Sequence, residues 1–150
     1  MSPNKPSHTL GYWLHHTAAL HRRVFTADTK KYGLTTEQFG LLIQLSANGG
    51  ISQKKLAELM HKDQATTGKI VEKLESKGFL VRKPDPADRR AFSLHMTGEG
   101  MDAISRLTPL ESALEEQAWA GISEEEFDIF QRVMHRLNDN LNQMNKDGSH

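Results

Sequence analysis

Apolar positions recur at steps of three and four residues over much of the chain. Leu10, Trp13, Leu14, Thr17, Leu20, His21, Val24 and Phe25 place one amphipathic helix over about 9–31, closed by Tyr32-Gly33. Thr35 with Gln38 three residues on has the form of a capping box, and Phe39, Leu41, Leu42, Ile43 and Leu45 make the helix behind it largely buried. Asn48-Gly49-Gly50 reads as a turn. Ser52 can cap a short helix carrying Leu56, Ala57 and Leu59, and Asp63 a second one that carries Ile70, Val71 and Leu74 and stops at Gly78. Two short helices this close form a helix-turn-helix, with the second as candidate recognition helix.

After Gly78 the period changes. Phe79 to Lys83 is extended in character, and Phe92, Leu94 and Met96 alternate with Ser93 and His95, the two-residue period of a half-buried strand. The stretch between them, Pro84-Asp85-Pro86-Ala87-Asp88-Arg89-Arg90, predicts a hairpin with a long charged tip, a wing. Its prolines are expected to hold the tip away from the ladder. Thr97 opens a further helix in which Pro109 predicts a kink or restart. Gly121-Ile122-Ser123 breaks the pattern again, and Ser123 with Glu126 forms a second capping box. Phe127, Phe130, Met134, Leu137, Leu141 and Met144 then follow at alternating steps of three and four, a coiled-coil seam. A helix pair alone offers little to cover so many large side chains, so pairing with a second chain is expected. There is no internal repeat, low-complexity segment or flexible linker.

The chain's 150 residues suit one ordinary domain or two small lobes. With 37% hydrophobic and 25% charged residues it reads as a soluble globular chain rather than a disordered one. The absence of cysteine excludes disulfides, thiolate chemistry and cysteine-ligated zinc. No signal peptide and no membrane-spanning stretch is read, and a cytoplasmic location is expected. Basic and acidic residues balance at 19 each, but unevenly. Residues 1–52 hold five basic and two acidic side chains, 53–90 ten and six, and 91–150 four and eleven. The middle of the chain is therefore the part suited to a polyanion.

On a helix entering a major groove, the readers would be Gln64, Ala65, Thr66, Thr67 and Lys69. Gly68 costs about 1 kcal/mol mid-helix relative to alanine, so a close approach of DNA or of a neighbouring helix is expected there. Arg89 and Arg90 at the wing tip suit a narrow minor groove, with Asp88 placed to steer the Arg90 guanidinium. Lys54, Lys55, Lys62, Arg82 and Lys83 on the flanks would meet phosphates. The first helix offers Trp13, His16 and Arg23 on one face, an aromatic and two cationic groups fit for a phenolic or otherwise anionic effector. His15, His16 and His21 lack an i, i+4 pair, so no metal site and no cofactor is expected. No phosphate loop, serine nucleophile motif or metal-binding helix motif marks an enzyme.

The stretch Asp88-Arg89-Arg90-Ala91-Phe92-Ser93-Leu94-His95-Met96-Thr97 resembles the wing signature of the MarR (multiple antibiotic resistance regulator) family: aspartate, any residue, arginine, five residues, leucine-threonine. Met96 stands here in place of leucine. Gly33 to Phe39, Leu56-Ala57-Glu58-Leu59 and Val71 to Arg82 match the family's second helix, helix-turn-helix and first wing strand. The resemblance implies a mainly α fold with a small β-wing in a single unit over 1–150, with a winged helix-turn-helix lobe over 33–100. Helices over 1–32 and 101–146 would form a dimerisation lobe, to which Leu10, Leu14, Phe127, Phe130, Met134, Leu137 and Leu141 contribute. It further implies a homodimer that binds double-stranded DNA at a pseudo-palindromic operator, as a repressor released by a small ligand. The alternatives are a winged-helix protein scaffold without ligand response and a zinc-responsive regulator.

Overall fold

The computed structural model describes residues 8–148. In chain order these form α1 (Leu10–Lys30), α2 (Thr36–Ala47), β1 (Ile51–Ser52), α3 (Gln53–Leu59), α4 (Gln64–Ser76), β2 (Leu80–Asp85), β3 (Asp88–Met96), α5 (Gly98–Ala118) and α6 (Glu124–Gly148). The chain divides into two compact units, the first ending at Leu114 and the second beginning at Glu115.

All five helix starts in the first unit are capped by side chains, because the first turn of a helix leaves N–H groups without intrahelical partners; at α5 the Thr97 hydroxyl accepts from the Gly100 N–H at 3.1 Å. Thr9, Thr35, Ser52 and Asp63 accept from the backbone N–H of Tyr12, Gln38, Lys55 and Thr66 respectively. At Thr35 the capping box is complete, since the Gln38 carboxamide accepts in return from the Thr35 N–H at 3.1 Å. Gly78 closes α4 with φ +83°, a left-handed conformation that side-chain-bearing residues adopt at a cost.

The capped helices turn their apolar stripes inward. Phe25 of α1, Phe39, Leu41, Leu42 and Leu45 of α2, Leu56 of α3, Val71 and Leu74 of α4, Leu80 and Leu94 of the sheet and Leu107 of α5 make one buried core. Each large side chain of this kind contributes about 1.5–3 kcal/mol on burial. α4 is thus held by its Ile70, Val71 and Leu74 edge.

Four features of the sheet and α5 depart from the sequence expectation. A two-residue strand, β1, pairs Ile51 with Leu94 and Ser52 with Ser93, giving the antiparallel order β1-β3-β2. It is too short for any alternation to show. The prolines do not push the tip off the ladder: Pro84 faces Phe92 within β2, and the ladder runs on to Asp85 opposite Asp88 after an irregularity between Pro84 and Asp85. β2 is the edge strand, the place in a sheet where proline is tolerated. The tip is therefore only Pro86-Ala87. Phe92, expected on the buried face of its strand, is 52% exposed. Finally, α5 runs unbroken through Pro109. Pro109 and Ser105 are both exposed, so the carbonyl left open by the absent N–H lies on the solvent side.

In the second unit Ser123 and Glu126 exchange hydrogen bonds of 3.1 Å in the expected capping box. The Trp119 ring meets Phe127 edge-on at 4.6 Å and Phe130 at 5.3 Å. No residue of the 25-residue α6 is buried.

Candidate nucleic-acid interface

The first turn of α4 is built around Asp63. Its carboxylate accepts from the Thr66 N–H at 2.7 Å and from the Thr66 hydroxyl at 3.0 Å. The backbone N–H of Thr66, and after it the Thr66 hydroxyl, hold the Asp63 carboxyl below its usual range. The helix start therefore already carries its anion, and a phosphate must be met by lysine or arginine instead. Gln64, Ala65 and Lys69 are exposed beside it. Thr66 is exposed too, with its hydroxyl turned to Asp63. Thr67 corrects the sequence reading. It is fully buried, and its hydroxyl donates to the Asp63 carbonyl at 2.9 Å. Position 67 lies three residues before Ile70 and seven before Leu74, so the stripe that buries those two takes Thr67 inward as well.

The wing presents Arg89 and Arg90 in the open. Asp88 does not steer the guanidinium: its carboxylate accepts from the Arg90 backbone N–H at 2.9 Å, and Asp85 accepts from the Ala87 N–H at the same distance. Two aspartates thus stiffen the tip through its backbone and leave the arginine side chain to reach outward. At the wing's base a cavity of about 300 Å³ is lined by Gln53, Lys54, Gln64, Arg82, Arg90 and Phe92, among others. It brings the first residue of α4, the start of α3 and the wing around one basic hollow.

The flanking cations differ in how they are engaged. Lys62 pairs with Glu37 at 3.0 Å, Arg82 lies 3.6 Å from Glu75, and Lys55 lies 3.8 Å from Glu58. Lys54 and Lys83 are exposed. The Arg82 Nε is buried without a hydrogen-bond partner, so the Glu75 carboxylate does not fully serve it. Replacing Lys54 with alanine is expected to lower the slope of log affinity against log salt by about one, without altering sequence preference. Titrations at several salt concentrations on two duplexes check this. A changed preference would mark Lys54 as a base reader.

Sequence reasoning missed two residues. Gln53 reaches from α3 to α4, where its Nε2 donates to the Gln64 carbonyl at 3.3 Å. Lys77, at the end of α4, donates from Nζ to the Gly33 carbonyl at 2.7 Å and to Gln38 Oε1 at 3.2 Å. The mid-helix Gly68 was the available signal for Gln53; Lys77 gave none, since its partners lie 44 and 39 residues away.

Trp13, His16 and Arg23 do not line the cleft that the described residues form beside α1. Tyr12 stacks on His16 at 5.6 Å and meets Trp13 edge-on at 5.7 Å, and Trp13 is 53% exposed. Within the first unit a cleft of about 540 Å³ is lined instead by Leu14, His21, Arg22, Phe25, Phe39 and Glu111, among others. Trp13, His16 and Arg23 do share a face of α1, but at 3.6 residues per turn it lies roughly half a turn from the side on which Phe25 packs. Among the described residues no three histidine, aspartate or glutamate side chains form a group that could hold a metal. Nor is any described helix long and apolar enough to cross a membrane.

A helix-turn-helix followed by a basic two-stranded wing defines the winged-helix class of DNA-binding proteins. The model of the MarR family matches residues 34–92. The chain is 30% identical over 114 residues to the HTH-type transcriptional regulator YybA of Bacillus subtilis, covering 76% of either chain. It is 38% identical over 89 residues to a Thauera aromatica regulatory protein named for the hcr operon, covering 59% of this chain and 54% of that one, about half its length. Among solved structures, the repressor CouR bound to a 23-mer DNA duplex superposes with a TM-score of 0.81 at 24% identity, over 92% of this chain and 98% of that one. The chain belongs to the MarR family of transcriptional regulators.

Proposed function

We propose that the protein is a homodimeric repressor that reads a pseudo-palindromic operator in double-stranded DNA and acts in the cytoplasm. Residues 33–100 form the reading lobe, while residues 1–32 and 101–146 supply the dimerising helices. The observation that carries the reading is the single basic hollow shared by Gln64 of α4 and Arg90 of the wing. It lets one head address a major groove and the minor groove beside it at once. Gln64, Ala65, Thr66 and Lys69 face the bases, Arg89 and Arg90 enter the minor groove, and Lys54 and Lys83 meet phosphates. Lys55, Lys62 and Arg82 contribute to the same field, each after exchanging a carboxylate partner.

The cleft beside α1 supports an effector of the aromatic-acid class. Leu14, Phe25 and Phe39 offer an apolar wall, and His21 and Arg22 offer donors for a carboxylate. The experiment is selection from a random duplex pool, repeated with a panel of hydroxybenzoic acids. The expected product is a sequence with two inverted half-sites centred about 10–10.5 base pairs, or a multiple of that, apart. At least one acid is expected to raise the melting temperature and release the duplex, and to lose both effects in a His21→Ala/Arg22→Ala variant. A pool that yields no enriched sequence leaves a protein scaffold as the better reading, and an enriched sequence indifferent to every acid removes the effector.

A further inference from the structure

We propose that Gln53 is a positioning residue that sets how α4 presents its first turn to DNA, and that Gly68 is present to make room for it. The inference rests on α4 being the reading helix. Gln53 is the first residue of α3, after the cap Ser52, and its carboxamide crosses to α4. There Nε2 donates to the carbonyl of Gln64 at 3.3 Å. One turn further along, the same carboxamide lies against the bare backbone of Gly68. A Cβ at position 68 would sit 2.9 Å from Gln53 Nε2, 3.6 Å from its Cδ and 3.8 Å from its Oε1. All three approaches come from this one side chain, so the group lies across the helix surface.

Gly68 does not have the positive φ found at Gly33, Gly50, Gly78 and Gly121. Its value is therefore space, and the contact with Gln53 is what offsets a residue that weakens a helix interior. The other anchors of α4 are placed differently. Ile70, Val71 and Leu74 fix its middle by packing, while Asp63 and Thr67 hydrogen-bond within its own first turn. Gln53 instead joins that first turn to another element. Gln53 and Gln64 then line the same hollow as Arg90, so a shift of the carboxamide changes the direction from which Gln64 approaches a base edge.

The test uses the full chain and a duplex selected from a random pool, with a random duplex for comparison. In Gly68→Ala the new methyl displaces only the end of a flexible side chain, so the melting temperature is expected to stay level or rise. The ratio of selected to random affinity is expected to fall about tenfold, the scale of one lost specific contact. Gln53→Ala is expected to lower the ratio by a similar factor, and the double variant by no more than either single one, since all three remove the same contact. Repeated selection with each variant is expected to relax preference at the positions that Gln64→Ala relaxes. A wild-type ratio in Gly68→Ala or Gln53→Ala, losses that add in the double variant, or equal losses on both duplexes would overturn the proposal. The reading of α4 itself fails separately, if Gln64→Ala and Lys69→Ala both leave the preferred sequence untouched.

Discussion

Replacing Leu137 with aspartate is expected to convert the protein from dimer to monomer and to remove operator binding at concentrations where the wild type is saturated. The expectation begins with the burial of α6. Its 25 residues include none that is buried, and Ile129, Phe130, Val133, Leu141 and Met144 are 45–67% exposed. Apolar side chains at this density on one helix are a surface awaiting a partner. Phe127, Phe130, Met134, Leu137, Leu141 and Met144 keep the alternating spacing of a seam, and Leu10 and Leu14 of α1 are exposed apolar groups as well. Under the proposed homodimer, a second copy of the chain, carrying the same residues, is the self-complementary partner. In a symmetric dimer the aspartate enters twice, removes two buried leucines and opposes two charges across a dry contact. A combined cost of about 4 kcal/mol or more weakens association roughly a thousandfold. DNA affinity falls further than one lost contact explains, because the second head no longer binds as part of the same molecule. Light scattering gives the mass and a duplex titration gives the affinity, with Asn142→Asp, off the seam on the same helix, as the control. A Leu137→Asp protein that remains dimeric would show that the seam closes within one chain.

The helix boundaries were legible in the sequence because caps and glycines announce them chemically. Thr35 and Ser123 cap where their spacing to Gln38 and Glu126 placed them, Ser52 and Asp63 cap ahead of the apolar runs they precede, and Gly33 and Gly78 take the left-handed turns that end their helices. What stayed hidden depends on direction or on distant partners. Thr67 resembles its exposed neighbour Thr66 in chemistry, and only the rotation of α4 against Val71 and Leu74 separates them. Trp13, His16 and Arg23 share a face as their spacing requires, but spacing does not say which face meets a cleft. The aspartate at position 88 was read as a partner for a side chain, whereas in a tight turn the nearer donor is the backbone N–H two residues on. Pro84 was read as a breaker because the sequence does not tell an edge strand from a central one.

That turn chemistry gives the wing its sharpest consequence. Arg90→Ala is expected to weaken operator binding by about 1–3 kcal/mol, roughly fivefold to more than a hundredfold. Arg90 is exposed at the start of β3, opposite a tip of only two residues, and Asp88 and Asp85 both bind backbone there. The side chain is thus carried on a stiffened strand without being tied down itself, so less freedom is lost when it inserts. Arginine is the suited cation because a narrow minor groove concentrates negative potential and a planar, weakly hydrated guanidinium enters it more readily than an ammonium. Arg90→Lys should therefore recover only part of the loss, although the charge is restored. Asp88→Ala should also lower affinity, by loosening the turn, while Asp88→Asn should be milder because a carboxamide oxygen can still accept from the Arg90 N–H. Titrations of the wild type and the four variants on operators whose flanking sequence is A·T-rich or G·C-rich check the argument. If Arg90 reads groove width, the arginine advantage over lysine is larger on the A·T-rich flank; equal losses on both flanks would reduce its role to that of a phosphate contact.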